Sequence, residues 1–164
     1  MLDGMGCNKR KLVSMIIPTY NGARFIRETL GSVFGQTRLP DHVIVVDDAS
    51  SDGTADLVDQ IAREAPIPLT VIRLRKNSGG PATPLNIGID AAQADFIVLL
   101  DHDDVILPKN LALKEQTLCE NDDVDFVFGD YESFSHEGPI PRSRAADVGG
   151  DAYALISESG GPVY

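Results

Sequence analysis

The chain has 164 residues, of which 43% are hydrophobic and 24% are charged, and this composition predicts one globular domain with a buried core. Its formal net charge of -11 and its isoelectric point near 4.5 disfavour a nucleic-acid polymer or an anionic membrane as partner, because both attract a basic surface. Any phosphate that the chain binds must therefore be met mainly by a metal ion, backbone amides or a few local cations.

The cysteines and the apolar segments bear on the cellular compartment. Cys7 and Cys119 lack the spacing of a zinc or redox motif, which predicts free thiols in a reducing cytoplasm. No apolar run approaches the roughly 18 residues of a membrane span, and residues 1–12 lack the apolar stretch of a secretory signal. A cytoplasmic location is expected, either free or peripheral to the inner face of the membrane.

Short β-branched runs alternate along the chain with segments whose apolar residues recur at helical spacing. In chain order they predict a strand at 15–17, a helix that ends near Gly35, a strand at 43–46, a helix from 52–54 to before Pro66, a strand at 69–74, a helix from Pro81 to about Ala92, a strand at 96–100, a helix opened by Pro108, and a strand at 124–128. Right-handed crossovers turn this order into an α/β fold, an open and mostly parallel Rossmann-like sheet with helices on both faces.

The composition changes near residue 130. Residues 1–130 carry the alternating elements, whereas Gly and Pro interrupt every periodic pattern in residues 131–164. We therefore expect an α/β domain over 1–130. Residues 131–164 are expected to be a loop-rich tail, the start of a region that is incomplete at its carboxyl end.

Polar residues follow three of the predicted strands at the point where each strand ends. These clusters are 18–21, 47–48 and 101–104. Ligands of open α/β sheets bind beyond the carboxyl ends of the strands, so the carboxylates of these clusters are expected to meet in one crevice. Such a crevice favours a hard divalent cation with oxygen ligands, and that cation favours a phosphate group.

Two Asp-x-Asp pairs occur, about as many as chance gives in so acidic a chain, and their contexts separate them. Asp101 and Asp103 follow a buried strand, where alternate side chains leave on one side, so both can reach one cation or its bound water. The same alternation turns His102 away, which is more typical of a spacer than of a ligand. Asp123 and Asp125 precede a strand, which indicates a solvated turn.

The acidic end of the second predicted strand has two interpretations. Ser51, Asp52 and Thr54 are most simply residues that cap the following helix. Asp48 differs, because consecutive carboxylates at a buried strand end repel each other unless one finds a donor or a cation. The imide N–H of a pyrimidine is such a donor, and Tyr20 can lie beneath that base or merely pack half-buried.

Other nucleotide-binding patterns are absent from the sequence. A dinucleotide fold needs Gly-x-Gly-x-x-Gly directly after its first strand, where this chain has Pro-Thr-Tyr-Asn-Gly. A P-loop needs Gly-Lys-Ser/Thr at a strand-helix junction, and the chain has none. A nucleotidyltransferase is disfavoured as well, since the Gly-rich, basic loop that usually follows its first strand is missing.

Five segments stand in a characteristic order over residues 12–130: IIPTYNG at 16–22, QT at 36–37, VIVVDDASSDGT at 43–54, NSGGPATPLNIGI at 77–89 and FIVLLDHDD at 96–104. Together they resemble the donor half of a family 2 glycosyltransferase of the GT-A fold. The resemblance implies that residues 1–130 bind a nucleotide diphosphate sugar of the UDP or dTDP type. It also implies an inverting transfer to a carbohydrate or lipid-linked acceptor in the assembly of cell-surface polysaccharide.

The resemblance also implies roles for individual residues. The implied nucleotide-sugar-binding residues are Pro18, Tyr20, Asp48, Gly80, Asp101 and His102, and the implied metal ligands are Asp103 and Asp101. Pro18 and Tyr20 would lie beside the base, and Asp48 would accept a hydrogen bond from the uracil or thymine imide. Asp101 would lie near the ribose and the metal-bound water, and Asp103 would bind the Mn²⁺ or Mg²⁺ that bridges the diphosphate.

The chain departs from the family pattern at two points. Leu85 stands directly before Asn86, where many relatives carry an Arg that assists the diphosphate. The acidic pair that supplies the general base in inverting members is missing downstream, and Asp130 and Glu132 are weak substitutes. We therefore expect this chain alone to transfer little sugar. The alternative is a non-catalytic nucleotide-sugar-binding or partner-interaction module, with an exposed sheet edge that could pair with a second copy.

Overall fold

A computed structural model describes residues 10–121, 123–129, 134–135 and 138–139. Its elements are β1 (Val13–Thr19), α1 (Ile26–Phe34), β2 (His42–Asp47), α2 (Thr54–Ala62), β3 (Leu69–Arg73), α3 (Ala82–Ala91), β4 (Phe96–Leu99), α4 (Asn110–Glu120), β5 (Phe134–Ser135) and β6 (Gly138–Pro139). Residues up to Phe128 form one compact unit, and a second unit begins at Gly129. Within the second unit, β5 and β6 pair in antiparallel fashion.

The first four strands form one parallel sheet in the order β3-β2-β1-β4. Met15 on β1 lies opposite Val43 on β2 and opposite Val98 on β4. The chain therefore adds β2 and β3 on one side of β1 and then returns to add β4 on the other. The winding reverses between β1 and β4, which is the point where open α/β sheets bind their ligands.

The two faces of the sheet carry separate hydrophobic cores, because successive side chains of a strand point to opposite faces. One core joins β1 and β2 to α1 and α2 through Met15, Ile17, Val43, Val45, Ile26, Leu30, Val33 and Val58. The other joins the same strands to α3 through Ile16, Ile44 and Val46, with Leu85, Ile87 and Ile89 packed against them. Every residue of β1 is buried, as its continuous apolar run predicts. The predicted α/β fold with helices on both faces is confirmed.

The prediction of a strand at 124–128 is wrong. Residues 124–129 adopt neither helix nor strand, and Phe126 and Phe128 are 63% and 52% exposed. A strand forms only where its backbone groups find a partner, and no described segment pairs with these residues. Asp123 and Asp125 are exposed, and Asp123 lies in a turn, as expected.

In the part of the chain that the structure describes, no helix combines the length and the apolar character needed to cross a membrane. α4, the longest of them, has 11 residues and carries Lys114 and Glu115.

Helix α3 approaches the sheet most closely at Gly88. A Cβ at this position would stand 2.3 Å from Ile16 Cγ2 and 3.3 Å from Val46 Cγ2, both of which lie in the core. Because the core side chains on this face are already close-packed, only a residue without a side chain fits here. The close contact fixes α3, whose amino-terminal end leads back to the carboxyl edge of the sheet.

We predict that Gly88→Ala lowers the free energy of unfolding by about 1 to 3 kcal/mol, the usual cost of overpacking a core. Gly31→Ala is the matched control, because Gly31 also lies inside a helix but nothing stands within 4 Å of its Cβ position. Alanine there should add up to about 1 kcal/mol through helix propensity. Urea denaturation of the 164-residue variants measures the difference. Equal stabilities would contradict the close approach of α3.

Candidate functional site

A cleft of about 440 Å³ lies at the carboxyl edge of the sheet, where the winding reverses between β1 and β4. It is lined by residues 18–20 at the end of β1, by residue 48 after β2, by residues 77, 79–81 and 84 around the start of α3, and by residues 101–103 after β4. The structure thus brings together every residue proposed from the sequence as a nucleotide-sugar or metal contact. Asp130 and Glu132 lie outside the described residues.

The loops that follow β1 and β2 are bonded to each other beside the cleft. The Asn21 N–H donates to Ser50 Oγ at 2.9 Å, and Asn21 Oδ1 accepts from the Ser51 N–H at 2.9 Å. Asn21 and Ala49 have φ angles of 50° and 61°, in the left-handed region that non-glycine residues seldom adopt. These cross-links hold Tyr20, which is 47% exposed, at the mouth of the cleft.

The residues expected to cap α2 act differently from the prediction. The N-cap position is Gly53, with a φ of 87°, because the turn requires a left-handed residue there. Ser51 bonds to Asn21 instead, and Thr54 is the first residue of the helix. Asp52 alone acts as expected, since it accepts the Thr54 N–H at 3.0 Å. Burial opposes ionisation of Asp52, but its hydrogen bonds hold its pKa below the ordinary value.

The adjacent carboxylates of Asp47 and Asp48 are both 3% exposed, and they bond to different loops. Asp47 Oδ2 accepts from the Ser50 N–H at 3.1 Å, and Asp47 does not line the cleft. The two oxygens of Asp48 accept from the Ser78 N–H at 2.9 and 3.1 Å, and Oδ2 also accepts from the Ser78 hydroxyl at 2.9 Å. The sequence predicted that a ligand would donate hydrogen bonds to the Asp48 carboxylate. Ser78 supplies part of these hydrogen bonds instead.

Asp48 also organises the loop between β3 and α3, which forms one wall of the cleft. Asn77 Nδ2 donates to the Asp48 backbone oxygen at 3.2 Å, and Asn77 Oδ1 accepts from the Gly79 N–H at 2.8 Å. Gly79 has a φ of 89°, which glycine adopts without steric cost. This wall thus consists of a tight loop that is bonded back to the end of β2.

The opposite wall is the acidic turn after β4, which is bonded to Thr29 of α1 and followed by a segment bonded to Gln36, just beyond α1. Thr29 Oγ1 donates to the His102 backbone oxygen at 2.7 Å. Gln36 is buried, donates through Nε2 to the Leu107 oxygen at 2.8 Å, and accepts the Leu111 N–H through Oε1 at 3.1 Å. The local sequence around Thr29 and Gln36 does not indicate these bonds, because the partners lie more than 70 residues away along the chain.

Negative charge is concentrated at the acidic turn, where Asp101, Asp103 and Asp104 lie close together in sequence. Asp101 and Asp103 are exposed and line the cleft. Burial raises the pKa of the neighbouring Asp104, and the charges of Asp101 and Asp103 raise it further. Within the described residues, no cationic side chain pairs with these carboxylates and no Lys or Arg lines the cleft.

The donor set at this turn is compatible with a divalent cation. No three His, Cys, Asp or Glu side chains converge on a metal-sized site in the part of the chain described. Mg²⁺ is commonly held by one or two carboxylates, with substrate phosphates and water completing its shell, and the oxygen ligands of Asp101 and Asp103 fit that mode. Leu85 packs against the core instead of lining the cleft, so it supplies no contact to a phosphate.

The sequence profile of glycosyl transferase family 2 matches residues 14–157. The chain belongs to this family. It is 37% identical over 100 residues to the poly(ribitol-phosphate) beta-N-acetylglucosaminyltransferase TarS of Staphylococcus aureus, a match that covers 60% of this chain and 17% of TarS. It is 30% identical over 148 residues to the poly(ribitol-phosphate) beta-glucosyltransferase of Bacillus spizizenii, covering 89% of this chain and 23% of that protein. The chain thus spans about a fifth of the length of these curated relatives.

Solved structures are similar to the described fold. The structure of TarS 1-349 in complex with UDP superposes with a TM-score of 0.60 at 34% identity, over 65% of this chain and 32% of the other. The mannosyltransferase PcManGT of Pyrobaculum calidifontis, in complex with GDP-Man and Mn²⁺, superposes with a TM-score of 0.59 at 32% identity, over 68% of this chain and 32% of the other. Both are glycosyltransferases, and the GT-A fold expected from the sequence is confirmed.

We predict that Ser78→Ala lowers the free energy of unfolding by about 1.5 to 3 kcal/mol, because a buried carboxylate loses a hydroxyl donor. Ser51→Ala is the control, since the Ser51 side chain is exposed and its hydroxyl lies 3.4 Å from Asn21 Oδ1. That change should stay within about 0.5 kcal/mol of the parent. Denaturation in urea compares the two variants, and a neutral Ser78→Ala would mean that Asp48 does not depend on the Ser78 hydroxyl.

Proposed function

We propose that this chain is the donor-binding part of an inverting glycosyltransferase. It binds a nucleotide diphosphate sugar of the UDP or dTDP type together with Mn²⁺ or Mg²⁺, for transfer of the sugar to a carbohydrate or lipid-linked acceptor. The single observation that carries the proposal is the position of the cleft. The cleft lies where the sheet reverses its winding. There it brings together the exposed ring of Tyr20, the buried carboxylate of Asp48 and the exposed carboxylates of Asp101 and Asp103.

The base is proposed to lie against Tyr20 and to donate its imide N–H to Asp48. An ionised carboxylate has about four acceptor positions, so the bonds from Ser78 leave room for one more donor. A carboxylate cannot donate, and it therefore favours the N3–H of uracil or thymine over the unprotonated N3 of cytosine. The complex of TarS with UDP supports a uracil nucleotide in the corresponding fold.

The diphosphate is proposed to meet the chain at Asp101 and Asp103 through a divalent cation. The cleft combines carboxylates with no lining Lys or Arg in the described residues, so this part of the chain offers no positive charge to balance a diphosphate. A bound Mn²⁺ or Mg²⁺ would neutralise the negative charge that grows on the leaving nucleotide diphosphate. PcManGT, which was solved with Mn²⁺ and GDP-Man, supports this assignment. Gly80 and His102 would complete the contacts to the sugar nucleotide.

The acceptor is proposed to be a hydroxyl of a cell-surface carbohydrate polymer or of its lipid-linked precursor. TarS and the Bacillus spizizenii relative are both named for poly(ribitol-phosphate), which supports a polymer of this kind. The chain would then act in the cytoplasm, at the inner face of the membrane where such precursors are built.

A non-catalytic nucleotide-sugar-binding module is the second candidate. The carboxylates that line the cleft within the described residues, Asp48, Asp101 and Asp103, each have a proposed role in holding the donor. None of them is left to take the proton from an acceptor hydroxyl, which general base catalysis requires. Asp130 and Glu132 stay weak proposals for that base.

We predict that Mn²⁺ and UDP together raise the melting temperature of the 164-residue chain by more than the sum of their separate effects. The reason is that two carboxylates fill only part of the coordination shell of the cation, and the phosphate oxygens of UDP fill further positions. Asp103→Asn should remove this synergy and leave the fold intact, whereas Asp123→Asn, in the second Asp-x-Asp pair, should retain it. Equal UDP affinity with Mn²⁺ and with a chelator would contradict the metal site.

We predict that the 164-residue chain releases UDP from UDP-glucose or UDP-GlcNAc only slowly and with little dependence on an acceptor. A positioned general base is typically worth ~10² to 10⁴-fold in rate, and the described cleft lacks a spare one. Chromatography of UDP and of glycosylated acceptor measures both reactions. Rapid acceptor-dependent turnover that is lost in Asp130→Asn or Glu132→Gln would contradict this prediction and identify the base.

A further inference from the structure

Thr29 on α1 makes a hydrogen bond to a distant part of the chain. It is 1% exposed, and its hydroxyl donates to the His102 backbone oxygen at 2.7 Å. A threonine hydroxyl inside a helix can bond back to a carbonyl of the preceding turn of that helix. The Thr29 hydroxyl reaches instead across 73 residues of sequence, to the residue that stands between Asp101 and Asp103.

The side chain of His102 is held as closely as its backbone. A Cβ on the buried Gly22 would stand 2.4 Å from His102 Cδ2 and 3.1 Å from His102 Cγ, so the imidazole ring lies directly against the Gly22 backbone. The Asp104 N–H also donates to the Asp101 backbone oxygen at 3.2 Å and closes the turn around His102. His102 is therefore held from two directions, and the carboxylates on either side of it line the cleft.

Two further side chains near Thr29 bond to the segment that follows the acidic turn. Ser32 Oγ accepts the Ile106 N–H at 3.1 Å, and Gln36 Nε2 donates to the Leu107 oxygen at 2.8 Å. Thr29, Ser32 and Gln36 lie three and four positions apart, the spacing of neighbours on one side of a helix. Among these three bonds, the one from Thr29 reaches the turn itself, so Thr29 is the residue placed to act on the carboxylates.

We propose that Thr29 is a positioning residue for the metal site of the cleft. This inference rests on the proposed function. Two neighbouring carboxylates repel each other, and the backbone between them must be held if both are to face one cation before it binds. The Thr29 hydroxyl holds that backbone, so Asp101 and Asp103 are ordered when the chain folds and not when the cation arrives. Carboxylates that are held in this way bind a divalent cation more tightly.

Thr29→Val tests the proposal, because it removes the hydroxyl and keeps the shape of the side chain. In the 164-residue chain, the Kd for Mn²⁺ in the presence of UDP should rise about tenfold, the lower end of the usual effect of losing a group that orients a metal ligand. Thr29→Ser keeps the hydroxyl and should bind Mn²⁺ nearly like the parent chain. Thr37→Val is the matched control, because the Thr37 hydroxyl donates to the Pro108 backbone oxygen at 3.0 Å, beyond the turn, and it should bind Mn²⁺ like the parent.

Calorimetric titration of Mn²⁺ into chain and UDP measures these constants, with a titration into UDP alone subtracted, and urea denaturation shows that each variant is folded. Thr29→Ala also lacks the hydroxyl, and it serves in place of Thr29→Val if the valine variant does not fold. An unchanged Kd in a folded variant without the hydroxyl overturns the proposal and leaves the proposed function standing, as does an equal loss in Thr29→Ser or Thr37→Val. A parent chain that binds no Mn²⁺ in the presence of UDP overturns both.

Discussion

The cleft depends on how two consecutive carboxylates are accommodated at the buried end of β2. Burying a carboxylate is costly unless it accepts hydrogen bonds, and Asp47 and Asp48 accept theirs from different loops. Asp47 turns to Ser50 and so shapes the connection to α2. Asp48 turns to Ser78 and so draws the loop before α3 against the end of the sheet. The electrostatic requirement of one strand end therefore builds a wall of the cleft.

Local pattern was enough to predict most of the architecture from the sequence. The runs around Ile16 and Ile44 are buried strands because both of their faces are apolar, and the spacing of Ile26, Leu30 and Val33 directs one side of α1 to the core. The run around Val98 also forms a strand, but it is only half-buried, with Ile97 and Leu99 40% and 50% exposed. Right-handed crossovers turn the alternating elements into a parallel sheet, but the order β3-β2-β1-β4 comes from the structure. The meeting of Asp48, Asp101 and Asp103 then follows from the common edge of parallel strands.

The failures of sequence reasoning arise where a partner is distant or where backbone geometry decides. Ser78 and Gln36 bond to groups 30 or more residues away, and nothing in their immediate sequence indicates this. Gly53, and not the predicted Ser51 or Thr54, is the N-cap of α2, because the turn needs a residue in the left-handed conformation. Residues 124–128 have the alternation of a strand but no described neighbour to pair with, and pattern alone cannot supply one.

The two walls of the cleft differ in how firmly they are built. The acidic turn is bonded to α1 through Thr29, and Gln36, two residues after α1, bonds to the segment that follows the turn. Because α1 is packed in the core, these bonds tie this wall to the helix. The loop of residues 77–80 is bonded to the carboxylate and the backbone oxygen of Asp48 and contains two consecutive glycines. If the cleft widens or narrows, we therefore expect the loop of residues 77–80 to move and the acidic turn after β4 to stay in place.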